Sequence, residues 1–109
     1  MVKDIQSPEE FETELEAAGD KLVVVDIWAQ WCGPCRAISP YFASLEEQFE
    51  SCVFMKMNAE GPCEDLIGEW DVDALPTFKF FRNSEPVDVF IGADKHKLLE
   101  KLKQLTGTA

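Results

Sequence analysis

Leu22-Val23-Val24-Val25-Asp26-Ile27-Trp28-Ala29-Gln30-Trp31-Cys32-Gly33-Pro34-Cys35 decides the fold of this chain. Its first half, Leu22 to Trp28, is almost continuously apolar and β-branched. That pattern belongs to a central strand covered on both faces, because a half-exposed strand would alternate. Its second half closes on two thiols in a Cys-x-x-Cys spacing. A helix is expected to start inside that motif, at about Pro34, and to run to about Glu50. Pro34 fits the first helical turn, where its missing N–H has no partner to lose. Ile38, Phe42, Leu45 and Phe49 would line the buried side. Pro40 lies within this helix and should kink it, since it removes one backbone donor.

The flanking sequence supplies the other elements. Residues 2–6 read as a short first strand. Ser7-Pro8-Glu9-Glu10 is a helix start with Ser7 as cap, Pro8 at the first helical position and Glu10 three residues after the cap. Phe11, Leu15 and Ala18 mark the apolar stripe, and Gly19-Asp20 ends the helix. Val53 to Met57 forms a third strand, Gly61-Pro62 breaks the chain, and a short acidic helix is expected from about Cys63 to Glu69. Thr77 to Phe81 reads as a strand, Arg82-Asn83-Ser84-Glu85 as a hairpin turn, and Val87 to Ile91 as the last strand. Asp94 caps a final helix that buries Leu98, Leu99, Leu102 and Leu105. The order β-α-β-α-β-α-β-β-α predicts an α/β fold: early parallel strands with right-handed crossovers, then an antiparallel hairpin, all in one mixed sheet of about five strands between about four helices.

The 109 residues suit one domain, expected to span 1–109. No window is apolar enough for a membrane span, and no secretory or transit segment is evident, so a cytoplasmic protein is expected. The formal net charge of −11 argues against nucleic acid and anionic membranes as partners. Four cysteines raise the question of a metal, but Cys52 and Cys63, separated by ten residues, do not form a second knuckle, and His96 lies in a distant helical pattern. No metal site is expected.

A dithiol at a helix start can carry redox chemistry. The unpaired N–H groups and the positive end of the helix dipole favour a thiolate at Cys32, which is the attacking species. Cys35, one turn in and more covered, suits the resolving role. Gly33 lets a partner chain approach closely, and Pro34 stiffens the turn. Asp26 is a carboxylate inside an apolar strand, costly unless it has a partner or a task, and burial should raise its pKa.

These residues carry a close resemblance to the thioredoxin family, of the small eukaryotic cytosolic type. The match covers Lys21 to Asp26, Trp28-Ala29, Trp31 to Cys35, Leu75-Pro76-Thr77-Phe78 and Gly92-Ala93. It implies a thioredoxin fold and a protein-disulfide reductase with Cys32, Cys35 and Asp26 as catalytic residues, Asp26 taking and returning the proton of Cys35. It also implies that Lys56 supports this acid, and that Leu75-Pro76 is a cis-proline loop facing the dithiol. Trp31, Gly33, Pro34, Leu75, Pro76, Gly92 and Ala93 would then form a shallow substrate groove, with Trp28 packed beneath. No cofactor would be bound. Electrons would come from NADPH through thioredoxin reductase, and disulfide-containing proteins would be the substrates of a monomer.

The chain departs from the family pattern where Asn83-Ser84 lacks the common turn glycine. Ala74 stands where some animal members carry a surface cysteine through which they dimerise. Cys52 and Cys63 are additional and, as buried or half-buried thiols, expected to be inert; Cys63 would be the oxidisable one of the two, but its acidic neighbours disfavour a thiolate and so argue against high reactivity. The alternative to a free reductase is a redox-competent binding subunit of a larger assembly, for example an axonemal dynein light chain.

Overall fold

The computed structural model describes residues 1–108; Ala109, the last residue of the expected domain, lies outside the described residues. Nine elements follow in the expected order: β1 (Lys3–Asp4), α1 (Pro8–Ala18), β2 (Val23–Trp28), α2 (Gly33–Gln48), β3 (Val53–Asn58), α3 (Glu64–Gly68), β4 (Thr77–Arg82), β5 (Glu85–Ile91) and α4 (Lys95–Thr106). The strands form one sheet in the order β1-β3-β2-β4-β5. β3 pairs in parallel with both β1 and β2, whereas β4 pairs antiparallel with β2 and β5. The expected mixed five-stranded sheet with four helices is the observed one, and β2 lies at its centre.

The uninterrupted apolarity of β2 serves two cores. Val23, Val25 and Ile27 pack on one face with Phe11 and Leu15 of α1, Ile67 of α3, and Met55 and Met57 of β3. Val24 packs on the other with Ile38, Phe42 and Leu45 of α2 and Leu98 and Leu102 of α4. Successive side chains of a strand point to opposite faces, so α1 and α3 cover one face and α2 and α4 the other.

The local signals hold with small corrections. Ser7 Oγ accepts from the Glu10 N–H at 3.0 Å, closing half of a capping box. The Glu10 carboxylate reaches back one residue further than expected, accepting from Gln6 N–H at 2.6 Å. α2 begins one residue earlier than expected, at Gly33, with Cys32 as its cap. Pro40 does not divide this helix, because Ile38, Phe42 and Leu45 anchor both halves to the sheet. Pro86 on β5 lies opposite Phe81 next to a register shift. A residue without an N–H is tolerated there because β5 is an edge strand.

The β4–β5 turn places Asn83 at φ 54° and Ser84 at φ 64°. Two successive left-handed residues make the tight hairpin turn for which glycine at the second position is favoured. Ser84→Gly is therefore expected to stabilise the protein by about 0.5–1 kcal/mol, read as a higher midpoint in urea with an unchanged slope.

Candidate active site

The end of β2 delivers the dithiol. After Trp28 the chain needs only Ala29, Gln30 and Trp31 to reach Cys32. The Cys32 N–H donates to Ala29 O at 3.1 Å, closing that connection. Cys32 and Cys35 are joined in a disulfide with their Cα atoms 5.3 Å apart. The Cys35 N–H donates to Cys32 Sγ at 3.1 Å. The first sulfur thus receives one of the donors that a helix start leaves free. Both sulfur-bearing residues are buried, Cys35 slightly more than Cys32, while Gly33 and Pro34 between them are exposed. Arg36 is tied back by a bond from Nη1 to Gln30 O at 2.6 Å.

Asp26 shares the α2 face of β2 with Val24 and lies beneath this helix. It is 3% exposed, and its Oδ1 has no hydrogen-bond partner. A cavity of about 110 Å³ is lined by Asp26, Trp28, Cys35, Arg36, Ser39 and Lys56. The acid and the second cysteine therefore line one cavity. Burial pushes the Asp26 carboxyl up to about 7, against a smaller opposing pull from the Lys56 ammonium. Lys56 is the register partner of Asp26 on β3. Its Nζ lies 5.9 Å from the centre of the Trp28 ring. Trp28 is half-buried and packs with Leu75 against Ala29, Cys32 and Cys35.

The opposite wall comes from two loops. The Leu75-Pro76 peptide is cis. Thr77 Oγ1 donates to Ala74 O at 2.6 Å and closes that loop. The Gly92 N–H donates to Pro76 O at 2.9 Å, tying the end of β5 to it. Gly92 has φ 112°, a backbone that side-chain-bearing residues rarely adopt. The structure thus brings Cys35, Asp26, Lys56 and Trp28 together around one cavity, with Cys32 bonded to Cys35 above it. Trp31, Leu75, Pro76, Gly92 and Ala93 lie on the loops at that end of the sheet, and Gly33 and Pro34 open α2 there.

Glu60 escaped the sequence reading. Its carboxylate accepts the Trp31 indole N–H at 2.8 Å. Its own backbone N–H donates to Asn58 Oδ1 at 2.9 Å. Trp31 is 65% exposed, yet held at its polar edge. Twenty-nine residues separate the pair, and no local pattern announces the bond. Cys63, expected to be a buried or half-buried thiol, is buried against the α1 face beside Ile67. Burial pushes its thiol up, and Glu10, Glu9 and Asp4 add to the rise. Burial also pushes the Cys52 thiol up. Among the described residues no group of three metal-ligating side chains converges, and no helix is long and apolar enough to cross a membrane.

The sequence model described as Thioredoxin matches residues 2–104. The thioredoxin of Equus caballus is 46% identical over 105 residues, covering 96% of this chain and 99% of that one. The crystal structure of a poplar thioredoxin h superposes with a TM-score of 0.91 at 33% identity, covering 96% of each chain. A chain from the complex of ferredoxin:thioredoxin reductase with thioredoxin f2 superposes with a TM-score of 0.90 at 31% identity, covering 96% of this chain and 94% of that chain.

Two predictions follow from the geometry. Asp26 is held protonated in the fold to a higher pH than in the unfolded chain. The pH-dependent cost of its burial is therefore absent below the unfolded carboxyl's titration and grows between about pH 4 and 7. Asp26→Asn should match the native protein at pH 4 and exceed it by up to about 4 kcal/mol at pH 8, measured by urea unfolding at both pH values. The second concerns Trp31: Glu60→Ala removes the acceptor of its indole N–H and should shift that resonance upfield of its native position, as read by nitrogen–proton NMR.

Proposed function

The chain belongs to the thioredoxin family, and on that premise we propose that it works through Cys32 as attacking thiolate, Cys35 as resolving thiol and Asp26 as proton acceptor. The chain is a thiol–disulfide oxidoreductase, and its reaction is the reduction of protein disulfides. In the reduced protein the Cys32 thiolate attacks one sulfur of a substrate disulfide. A Cys32–substrate disulfide forms, the substrate's own S–S bond breaks, and the departing thiolate takes up a proton. Cys35 then passes its proton to the Asp26 carboxylate and attacks Cys32 Sγ. The Cys32–Cys35 bond forms, the mixed disulfide breaks, and the second substrate thiolate leaves and is protonated. Two electrons and two protons have moved to the substrate.

The observation that carries this assignment is the shared cavity of Asp26 and Cys35 directly below the α2 N-terminus. A carboxyl near 7 is matched to proton transfer at neutral pH. Lys56 limits the rise of the Asp26 pKa and so supports the relay. Trp31, Gly33, Pro34, Leu75, Pro76, Gly92 and Ala93 form the groove for an extended substrate segment, with the Leu75 backbone pairing to it as an added strand.

The same proposal extends to the setting. No cofactor is bound by the chain itself, and its disulfide is reduced again by NADPH-dependent thioredoxin reductase. The thioredoxin f2 complex supports a reductase as partner. The chain acts as a single-domain monomer over residues 1–109 in the cytoplasm. Its two free buried thiols, Cys52 and Cys63, agree with a reducing compartment. The relatives, all thioredoxins, give no support to the assembly-subunit alternative.

Insulin-disulfide reduction driven by NADPH and thioredoxin reductase tests the cycle. The native chain should turn over, and Cys32→Ser should be inert. Cys35→Ser should stop after one event with a mixed disulfide trapped at Cys32. Asp26→Asn should slow resolution at pH 7 by about tenfold or more. Trapping at Cys35 instead of Cys32 would reverse the assignment. Inactivity of the native chain with this donor, and activity with a ferredoxin-dependent reductase, would replace NADPH as the electron source.

A further inference from the structure

Reduction removes the covalent tie between Cys32 and Cys35, and hydrogen bonds must then keep the two sulfurs together. Several bonds each secure part of the run. The Cys32 N–H donates to Ala29 O at 3.1 Å, and the Arg36 N–H donates to Cys32 O at 3.2 Å. The Trp31 indole fastens the loop sideways to Glu60. One bond brackets the whole of Trp31–Cys35. Arg36, the residue after it, reaches back with Nη1 to the carbonyl of Gln30, the residue before it, at 2.6 Å.

This strap runs beside the loosest link. Gly33, without a Cβ, has the widest backbone freedom in the run. A Cβ built there would lie 3.9 Å from Arg36 Nη2. The guanidinium therefore lies alongside Gly33 while its other nitrogen holds Gln30. Arg36 is exposed and takes part in no ion pair among the described residues. Its bond to Gln30 involves neither sulfur, so it does not depend on the disulfide.

We propose that Arg36 is a positioning residue for the dithiol: its bond to Gln30 O holds the Trp31–Cys35 loop in the reduced protein and so favours closure of the Cys32–Cys35 disulfide. The proposal rests on the reductase reading and concerns the driving force of that reaction. A loop already held loses less freedom when its S–S bond forms. Loss of the strap frees the dithiol state, whereas the disulfide state stays held covalently. The disulfide is then less favoured, and the protein is a weaker reductant. A cation acting through charge alone would give the opposite sign. It would stabilise the Cys32 thiolate and with it the reduced form, so its loss would favour the disulfide.

The test equilibrates the full chain at pH 7 with mixtures of reduced and oxidised glutathione. Protein dithiol and glutathione disulfide give protein disulfide and two glutathione thiols, and peptide mass mapping reads the Cys32–Cys35 pair. Arg36→Met, which keeps a long side chain without the donor, should lower the equilibrium constant by about three- to tenfold. In the reduced protein the Cys32 amide should exchange with solvent faster in this variant by about the same factor. Arg82→Met removes a like bond far from the dithiol, from Nη2 to Leu105 O at 3.0 Å, and should leave the constant within about twofold of native. An unchanged or raised constant in Arg36→Met would overturn the proposal, as would unchanged exchange at Cys32. An equal fall in Arg82→Met would also overturn it, because loss of positive charge and not the strap would then be responsible. A native pair that does not equilibrate with glutathione would instead remove the reductase reading, and this proposal with it.

Discussion

A carboxylic acid kept dry on the central strand is the constraint on which the rest of this structure depends. Asp26 can stay buried only if β2 has neighbours on both edges and a helix over its face. It has Lys56 beside it on β3, Phe78 on β4 and α2 above. The helix that provides the cover also begins with the dithiol. The packing that raises the Asp26 pKa therefore fixes Cys35 over the acid, and one cannot be loosened without the other. The unfavourable burial of the acid is offset by the apolar side chains on either side of it, Val24 and Val25 among them, which contribute to the two cores.

The site lies where the sheet changes direction. β2 and β3 run parallel and end at Trp28 and Asn58, while antiparallel β4 starts there at Thr77 and β5 finishes there at Ile91. The connections that carry the dithiol, the cis-proline loop and Gly92 therefore all leave from one end of the sheet. Ligand sites of open α/β sheets gather at the carboxyl ends of the parallel strands for the same reason. Short hydrogen bonds join these connections: Ala59 N–H to Trp28 O at 2.7 Å, Gly92 N–H to Pro76 O at 2.9 Å and Trp31 Nε1–H to Glu60 at 2.8 Å.

The elements and the dithiol were legible in the sequence because their signals are local. Apolar continuity identifies β2, a cap followed by Pro identifies α1, and the helical spacing from Ile38 to Phe49 survives the proline within it. The buried acid was legible because a charge in a β-branched run conflicts with its surroundings. Glu60 was not, since its bond to Trp31 depends on two loops meeting at the end of the sheet. Cys63 was legible as a buried or half-buried thiol in spite of its acidic neighbours, and the one-turn spacing it shares with Ile67 turns both toward the α1 face.

The acidic surface and the redox chemistry make opposing demands. Negative charge around Trp31 would disfavour a thiolate at Cys32 if it acted at full strength. The carboxylates act through water and are screened within about 10 Å. The Cys35 N–H acts at 3.1 Å on a sulfur in a buried setting, where a hydrogen bond to an anion is strongest. Local donors can thus hold charge on the sulfur while the outer field remains free to act on whatever approaches. Gly33 completes this division. A Cβ placed there would meet only Arg36 Nη2, at 3.9 Å, so the path over the disulfide is open to a partner backbone. The packing that sets the chemistry lies beneath that path.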